Sequence, residues 1–221
     1  MLQHGLIVSC QAEGDSPFNN PPSIAAFARA AEMGGAVAVR INGIDNIRLV
    51  RETIRIPVIG ITQSEYASGE VLITGTLEEL EAVYSAGATM AALDGTARTR
   101  PTGLTGTAMI AEARKRFDAP LIADISTFDE GAEAIDAGAD YVATTLAGFT
   151  AATAATATDE PEFRLVHELA ISFPHQVIAE GRIWTPEQAA HMFHLGAHAV
   201  VVGTAITRPV EIVRRFVEFL R

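Results

Sequence analysis

Short apolar runs of two kinds alternate along the whole chain, and this alternation restricts the fold more than any other feature. Runs of the first kind are continuous and rich in valine and isoleucine, at residues 5–10, 56–62, 119–125 and 176–180. Runs of the second kind open with Gly-Ala, at residues 35–40, 87–93, 138–144 and 196–202. Continuous apolar runs of this length are typical of parallel strands covered on both faces.

Segments with helical periodicity fill the gaps between these runs. They predict helices at residues 22–33, 44–53, 77–86, 105–117, 128–137, 162–172, 185–194 and 208–220. Thr127 and Thr185 are each followed three residues later by Glu130 and Gln188, which predicts capping boxes. The glycine that opens each run of the second kind can take the left-handed conformation that ends a helix. Strict alternation of strands and helices predicts a parallel sheet.

The length of the chain favours a closed sheet over an open one. The 221 residues fit one domain, spanning 1–221, and eight strand–helix units in this length predict a (β/α)₈ TIM barrel. An open doubly wound sheet that binds a dinucleotide would carry G-x-G-x-x-G after its first strand, and this chain has no such motif there.

Composition excludes several classes of function. The formal net charge of −11 repels nucleic acid and anionic membranes, so neither is an expected partner, and no run approaches the roughly 20 apolar residues of a membrane span. Cys10 is the single cysteine and no secretory leader is recognisable, so we expect a cytoplasmic protein without disulfides. Local arginines can still hold a small anion.

Polar residues follow the predicted strands. They are Gln11, Arg40, Gln63, Asp94, Asp124, Thr144 with Thr145, Glu180, and Gly203 with Thr204. Active sites of TIM barrels lie at the carboxyl ends of the strands. A single residue of this kind is an ordinary strand end or helix cap, but a ring of them around one mouth predicts a ligand site.

The ends of the seventh and eighth strands predict a phosphate site. Loops after these strands commonly hold phosphate in this fold, and here they contain Gly181, Arg182, Gly203 and Thr204, with Arg208 at the start of the last helix. The alternative is that both glycines only make tight turns and that Arg208 is a solvated side chain.

Other features point to no further chemistry. His191, His194 and His198 fall at the opposite end of the barrel from the polar ring, so we expect no metal site. The alanine- and threonine-rich residues 151–158 form a loop that is either a flexible surface segment or a lid over the barrel mouth.

Seven motifs, in order along nearly the whole chain, resemble one family. They are GLIVSCQ (5–11), PVIGI (57–61), ALDGT (92–96), ADIST (123–127), TTLAGFT (144–150), IAEGR (178–182) and VGTAITRP (202–209). Together they resemble the N-acylmannosamine-6-phosphate 2-epimerases of bacterial sialic acid breakdown. These are (β/α)₈ barrels that interconvert N-acetylmannosamine 6-phosphate and N-acetylglucosamine 6-phosphate, and the resemblance implies an isomerase that needs no cofactor.

The resemblance also implies roles for the polar ring. Glu180 would be the acid/base at C2 of the open-chain sugar, where loss of the proton next to the C1 aldehyde gives an enolate. Arg208 and the backbone around Gly181, Arg182, Gly203 and Thr204 would hold the phosphate. The sugar and its N-acetyl group would contact Gln11, Arg40, Asp94, Asp124, Thr144 and Thr145, with Asp124 also in the catalytic group. The alternative for Glu180 is that it only orders Arg182.

Gln63 departs from the family pattern, which has a catalytic lysine at this position. Glutamine neither gains nor loses a proton near neutral pH, and the only lysine, Lys115, belongs to a helix predicted on the outside. Three interpretations stay open: a replacement introduced to trap ligand, a natural enzyme that uses Glu180 with water or a substrate hydroxyl, and a homologue that binds the sugar phosphate without turnover. Phe149, where the family often has tyrosine, is a smaller departure.

Two alternatives come from other classes. A non-catalytic sugar-phosphate-binding protein would share every binding residue. Other phosphate-binding barrels, such as pentose-phosphate 3-epimerases and thiazole or indole synthases, need a metal-binding His/Asp set or a lysine, and the predicted ring contains no histidine and no lysine. The apolar face of the last helix (Ile212, Val213, Phe216 and Phe219) is expected to pack on the barrel; a homodimer contact is the alternative.

Overall fold

The computed structural model describes residues 2–67, 70–156 and 158–221. Its strands are β1 (Gly5–Cys10), β2 (Ala38–Asn42), β3 (Val58–Ile61), β4 (Met90–Asp94), β5 (Leu121–Asp124), β6 (Tyr141–Ala143), β7 (Val177–Glu180) and β8 (Ala199–Val202). They form one closed barrel in chain order, and β8 pairs with β1 in parallel. The predicted (β/α)₈ barrel is therefore confirmed.

The helices surround this barrel. They are α1 (Pro21–Met33), α2 (Ile44–Thr53), α3 (Leu77–Ser85), α4 (Gly106–Arg116), α5 (Phe128–Asp136), α6 (Phe163–Ser172), α7 (Pro186–His194), α8 (Thr204–Thr207) and α9 (Pro209–Phe219). The predicted capping boxes at Thr127 and Thr185 are present, and a third, at Thr76 and Glu79, was not predicted. None of the helices in the described part of the chain is long and apolar enough to cross a membrane.

Four strands begin three residues later than the sequence predicts. Gly35, Gly87, Gly138 and Gly196 have φ of 89°, 98°, 110° and 99°, the left-handed conformation that ends the preceding helix. The turn uses these glycines and the two residues that follow, so pairing starts only at Ala38, Met90, Tyr141 and Ala199. The Gly-Ala signal thus marks the end of a helix rather than the start of a strand.

Alternation along each strand fills the barrel and builds its mouth. On β1, β5 and β7 the side chains of Ile7, Ile122 and Ile178 pack together inside the barrel. Side chains two residues apart on a strand point to the same face. Ser9, Asp124 and Glu180 therefore continue the inward rows toward the carboxyl ends of the strands. Apolar side chains fill the interior at the amino-terminal end of the barrel, and the polar side chains form a layer at the carboxyl-terminal end.

The apolar face of the last helix does not pack on the barrel, so the expectation of barrel packing is wrong. α9 contains no buried residue, and Val213, Phe216 and Phe219 are 60%, 67% and 90% exposed. Arg208, whose φ of −116° and ψ of 75° are not helical, separates the short helix α8 from α9. An apolar cavity of about 420 Å³ lies on the outside of the barrel, lined by residues of β1, β8, α7 and α8 that include Leu6 and Phe193. We call it the outer groove.

Candidate active site

A cavity of about 360 Å³ opens at the carboxyl ends of the strands. It brings together most of the predicted site residues: Gln11, Arg40, Gln63, Thr145, Glu180, Gly181, Arg182, Gly203, Thr204 and Arg208. Asp94, Asp124 and Thr144 do not line it. The ring expected from the strand ends therefore exists, with three of its members set back from the cavity.

Arg40 joins two carboxylates beneath the cavity. Its guanidinium donates to both oxygens of Asp124, at 2.9 and 2.6 Å, and to Oε2 of Glu180 at 3.1 Å. The hydroxyl of Thr145 donates to Asp124 at 2.7 Å and lies 3.1 Å from the same Glu180 oxygen. Glu180 therefore pairs with Arg40, and the alternative that it orders Arg182 is wrong.

This cluster combines one positive and two negative charges in a nearly dry environment. Burial raises the pKa of the Glu180 carboxyl; Arg40 opposes this, Asp124 adds to it, the Thr145 hydroxyl opposes it, and the net direction is upward. Burial lowers the pKa of Arg40, but Asp124 and Glu180 raise it by more, so the guanidinium stays charged. A carboxyl group whose pKa is raised toward neutrality suits proton transfer.

Asp124 and Thr144 act from behind the cavity. Asp124 is fully buried and holds Arg40 through a two-pronged contact, which fixes the orientation of the guanidinium. Thr144 follows β6 on the outward side of the alternation, and its hydroxyl bonds to the backbone N–H and C=O of Glu180 at 3.1 and 3.0 Å. Neither residue is positioned to contact a ligand in the cavity; both hold residues that are.

Asp94 does not reach the cavity either, contrary to the prediction of a sugar contact. Its carboxylate accepts from the N–H and hydroxyl of Thr96, at 2.9 and 2.6 Å, and pairs with Arg98 and Arg100. The side chains of Asp94 and Arg100 are completely buried. A buried carboxylate with these partners stabilises the β4–α4 loop and has no oxygen facing the barrel mouth.

Gln63 lies across the barrel from Glu180, because β3 and β7 are four strands apart in a closed barrel of eight. Its Oε1 accepts from Asn42 Nδ2 at 3.0 Å, so its own amide N–H groups remain as donors. Lys115 is on α4 with its side chain 68% exposed, as expected from the sequence. Among the described residues that line the cavity, Glu180 alone can exchange a proton near neutral pH.

One end of the cavity is formed by the loops after β7 and β8, where the sequence predicts a phosphate site. Gly181 has φ of 113°, and a Cβ atom at Gly203 would lie 3.2 Å from Cβ of Ser9. Arg208 lines the same end, where its guanidinium pairs with Glu13 of the β1–α1 loop. The short helix α8, which the sequence pattern did not predict, begins directly after Gly203.

Some cavity residues were not predicted. Ile61 and Val201 continue the inward rows of β3 and β8, so the period-two alternation could have identified them. Ile73 reaches the cavity because the chain after β3 folds back and pairs Gln63 with Ile73. No local signal announces that pairing. Phe149, noted from the sequence, and Trp184 also line the mouth.

The histidines lie away from this site. His191 and His194 occupy the last turn of α7, and a ring nitrogen of His198 lies 2.9 Å from the carbonyl oxygen of Leu2 at the amino-terminal end of the barrel. Within residues 2–67, 70–156 and 158–221, no group of three or more His, Cys, Asp or Glu side chains is arranged to hold a metal ion.

The sequence of this chain was compared with known protein families and proteins. Residues 24–221 match the family model NanE, described as "Putative N-acetylmannosamine-6-phosphate epimerase". The chain belongs to the NanE family. A NanE relative from Caldanaerobacter subterraneus, with the corresponding 2-epimerase description, is 45% identical over 221 residues, which cover all of this chain and 92% of the relative. A second, from Clostridium perfringens, is 40% identical and covers all of this chain and 99% of that protein.

Solved structures agree. The N-acetylmannosamine-6-phosphate 2-epimerase from Clostridium perfringens superposes with a TM-score of 0.90 at 39% identity, covering 97% of this NanE chain and 92% of that one. Thiamine phosphate pyrophosphorylase from Pyrococcus furiosus matches at a TM-score of 0.56 and 17% identity, which shows a shared fold alone.

Proposed function

We propose that this NanE protein is a 2-epimerase that interconverts N-acetylmannosamine 6-phosphate and N-acetylglucosamine 6-phosphate. The observation that carries the proposal is the Arg40–Asp124–Glu180 cluster, which sets one carboxyl group of raised pKa into a cavity with a glycine-lined anion end. Family membership and the names of the relatives support the same substrate.

The reaction needs one acidic C–H bond and a base beside it. Glu180 takes the proton from C2 of the open-chain sugar, the C–H electron pair moves into a C1–C2 double bond, and the aldehyde oxygen becomes an enolate oxygen. A proton from water then adds to the other face of C2 and gives the epimer, while Glu180 releases its proton to the hydroxide left behind, so that the carboxylate and the water are both restored. Donors that line the cavity, Arg40 and Gln11 among them, stabilise the enolate and hold the N-acetyl group.

The phosphate is assigned to the loops after β7 and β8. Backbone N–H groups at Gly181, Arg182, Gly203 and Thr204 approach the anion, and Arg208 adds a guanidinium. Binding at this end fixes the distance from the phosphate to C2, so that the sugar reaches Glu180 in one orientation.

Gln63 is assigned a hydrogen-bonding role. Gln63 lines the cavity on the side of the barrel opposite Glu180, where the family pattern has a lysine, and its amide N–H groups are the donors it can offer to a ligand. No structural observation favours a protein that binds the sugar phosphate without turnover, since the carboxyl group and the anion end are both present.

We assign the enzyme to the cytoplasm, where sugar phosphates are made, as one barrel domain spanning residues 1–221.

The experiment is proton exchange at C2. Purified protein is incubated with N-acetylmannosamine 6-phosphate in D₂O, and the C2 proton and the appearance of the epimer are followed by NMR. We expect exchange and product from the native chain, none from Glu180→Gln, and native behaviour from Glu187→Gln, which changes an exposed carboxylate on α7. Absence of both exchange and product from the native chain would overturn the proposal.

We further propose that the enzyme is a homodimer in which α9 of each chain packs into the outer groove of its partner. In a (β/α)₈ barrel the last helix covers β8 and β1, and the outer groove lies there, with Leu6 and Val202 in its wall. Of the described residues that line the groove, none belongs to α9, whose own apolar face is exposed. The outer groove is a concave apolar surface and the exposed face of α9 is an apolar helix face, so each can cover the other.

Sedimentation velocity tests the dimer. We expect the native protein at twice the 23.4 kDa of one chain, and the Val213→Glu/Phe216→Glu double variant as a monomer. Arg214→Ala, on the polar side of α9, is the control and should stay dimeric. A native protein that sediments as a monomer at micromolar concentration would contradict the proposal.

A further inference from the structure

The Arg182 side chain makes three hydrogen bonds and one ring contact at the barrel mouth, and all of them go to one segment. Its Nε donates to the Glu160 carbonyl at 2.9 Å, Nη1 to the Ala147 carbonyl at 3.0 Å, and Nη2 to the Glu162 carboxylate at 2.9 Å. Its Cζ also lies 5.2 Å from the centroid of the Phe149 ring. These four partners belong to the connection between β6 and α6, whose described residues 147–156 and 158–162 are here called the β6–α6 loop.

The backbone of Arg182 is held in an unusual conformation. Its φ is 56°, in the left-handed region that residues other than glycine rarely occupy. Such a conformation persists only where the surrounding structure holds it, and residues of this kind are often found at functional sites. The side chain is only 14% exposed, so the contacts to the β6–α6 loop are largely sheltered from water.

The loop that Arg182 holds contributes one residue, Phe149, to the lining of the cavity. Phe149 lines the mouth although its side chain is 60% exposed, and Ala147 follows the short turn that carries Thr145. One further tie, from the Thr150 hydroxyl to Ser126 at 3.2 Å, links the loop to the segment after β5. The position of Phe149 therefore depends on the contacts that Arg182 makes at both ends of the loop.

We propose that the Arg182 side chain is a positioning residue that fastens the β6–α6 loop, and with it Phe149 at the substrate cavity, and that it does not bind the phosphate. The phosphate is left to Arg208 and to the backbone N–H groups. The substrate in this inference rests on the proposed epimerase function. The backbone N–H of Arg182 belongs to the phosphate site, whereas its guanidinium belongs to the loop, because each of its three nitrogens already donates to a loop acceptor.

The test compares Arg182→Ala with Arg208→Ala, using inorganic phosphate as the probe of the anion site. Phosphate affinity is measured by calorimetry and by competitive inhibition. Loss of a charge-assisted hydrogen bond weakens binding by roughly 10-fold or more. We expect that loss for Arg208→Ala, whereas Arg182→Ala should keep phosphate affinity within about twofold of native while KM for the sugar phosphate rises and kcat falls.

Limited proteolysis reports on the loop directly. Chymotrypsin should cut after Phe149 faster in Arg182→Ala than in the native protein, and the fragments are identified by mass spectrometry. Arg182→Lys should restore only part of the protection, because an ammonium cannot reach all three acceptors in one plane. Glu162→Gln removes one charged acceptor and leaves Arg182 in place, so it should increase the same cleavage by a smaller amount. This variant tests the inference if Arg182→Ala does not fold.

The outcomes separate this inference from the proposed function. If Arg182→Ala loses as much phosphate affinity as Arg208→Ala, or if neither Arg182→Ala nor Glu162→Gln changes cleavage at Phe149, the inference is overturned. If the native chain shows no epimerisation, the proposed function fails, yet calorimetry and proteolysis still decide the role of Arg182, because neither needs turnover.

Discussion

At Glu180 several neighbours act on the same carboxyl group and set the pH at which it can serve as a base. Burial and Asp124 raise its pKa, while Arg40 and Thr145 lower it, and the balance is upward. A base must be ionised to accept a proton, so kcat/KM should rise with pH through this raised pKa. We expect the rising limb of the pH–rate profile to lie above the ordinary glutamate value of about 4.3.

Asp124→Asn changes that limb in a known direction. The substitution removes a negative charge that raises the pKa of Glu180, and it leaves Arg40 to interact mainly with Glu180; both effects lower the pKa. The rising limb should move to lower pH, with a smaller maximum because Arg40 is less firmly held. Measurement of kcat/KM from pH 4 to 9 checks this, and a shift to higher pH would contradict the electrostatic account.

Gln63→Lys tests the departure from the family pattern. A lysine at this position supplies a second proton carrier across the barrel from Glu180. Positioned acid–base groups contribute roughly 10²–10⁴-fold to rate, so we expect kcat to rise at least tenfold. Gln63→Met, similar in size without an amide, is the control and should be slower than native. An unchanged kcat in the lysine variant would show that this side of C2 does not limit turnover.

At the scale of the element, β3 depends on a glycine for its fit against the helices. A Cβ atom at Gly60 would lie 2.6 Å from Val83, 2.8 Å from Ala88 and 2.9 Å from Ile47. Gly60→Ala should lower the free energy of unfolding by about 1–3 kcal/mol, the usual cost of overpacking. Urea denaturation measures it. Gly34→Ala, at an exposed position with ordinary φ, is the control and should change stability little.

The elements show why some features could be predicted and others could not. Helices and strands follow local periodicity and capping signals, so their order and the barrel were predictable. The short helix α8 was missed, because its four residues are too few for a helical periodicity to be recognised. The withdrawal of Asp94 from the cavity was missed for a different reason. It depends on Arg98 and Arg100 folding back, and no spacing rule reveals which partner a buried carboxylate will find.

At the scale of the molecule, the proposed seating of α9 in the outer groove of a partner predicts a stability that depends on protein concentration. If α9 seats in the outer groove of a partner, association stabilises the folded state by mass action. Tm should therefore rise as protein concentration is raised from 1 to 100 μM. The Val213→Glu/Phe216→Glu variant should melt at a Tm independent of concentration. A native Tm that does not change over this range would count against the dimer.

The position of the only lysine has a chemical consequence. Lys115 stands on the exposed side of α4, so an open-chain sugar aldehyde in the cavity meets no primary amine from a side chain. Imine formation, the usual covalent route for a carbonyl substrate, has no nucleophile at the barrel mouth. Reductive trapping with cyanoborohydride should therefore leave the cavity peptides at their native mass. In the Gln63→Lys variant, the new lysine would be the one amine in the cavity that can form a trapped sugar adduct. The mass of the peptide that contains position 63 would then increase, while the other cavity peptides keep their native mass.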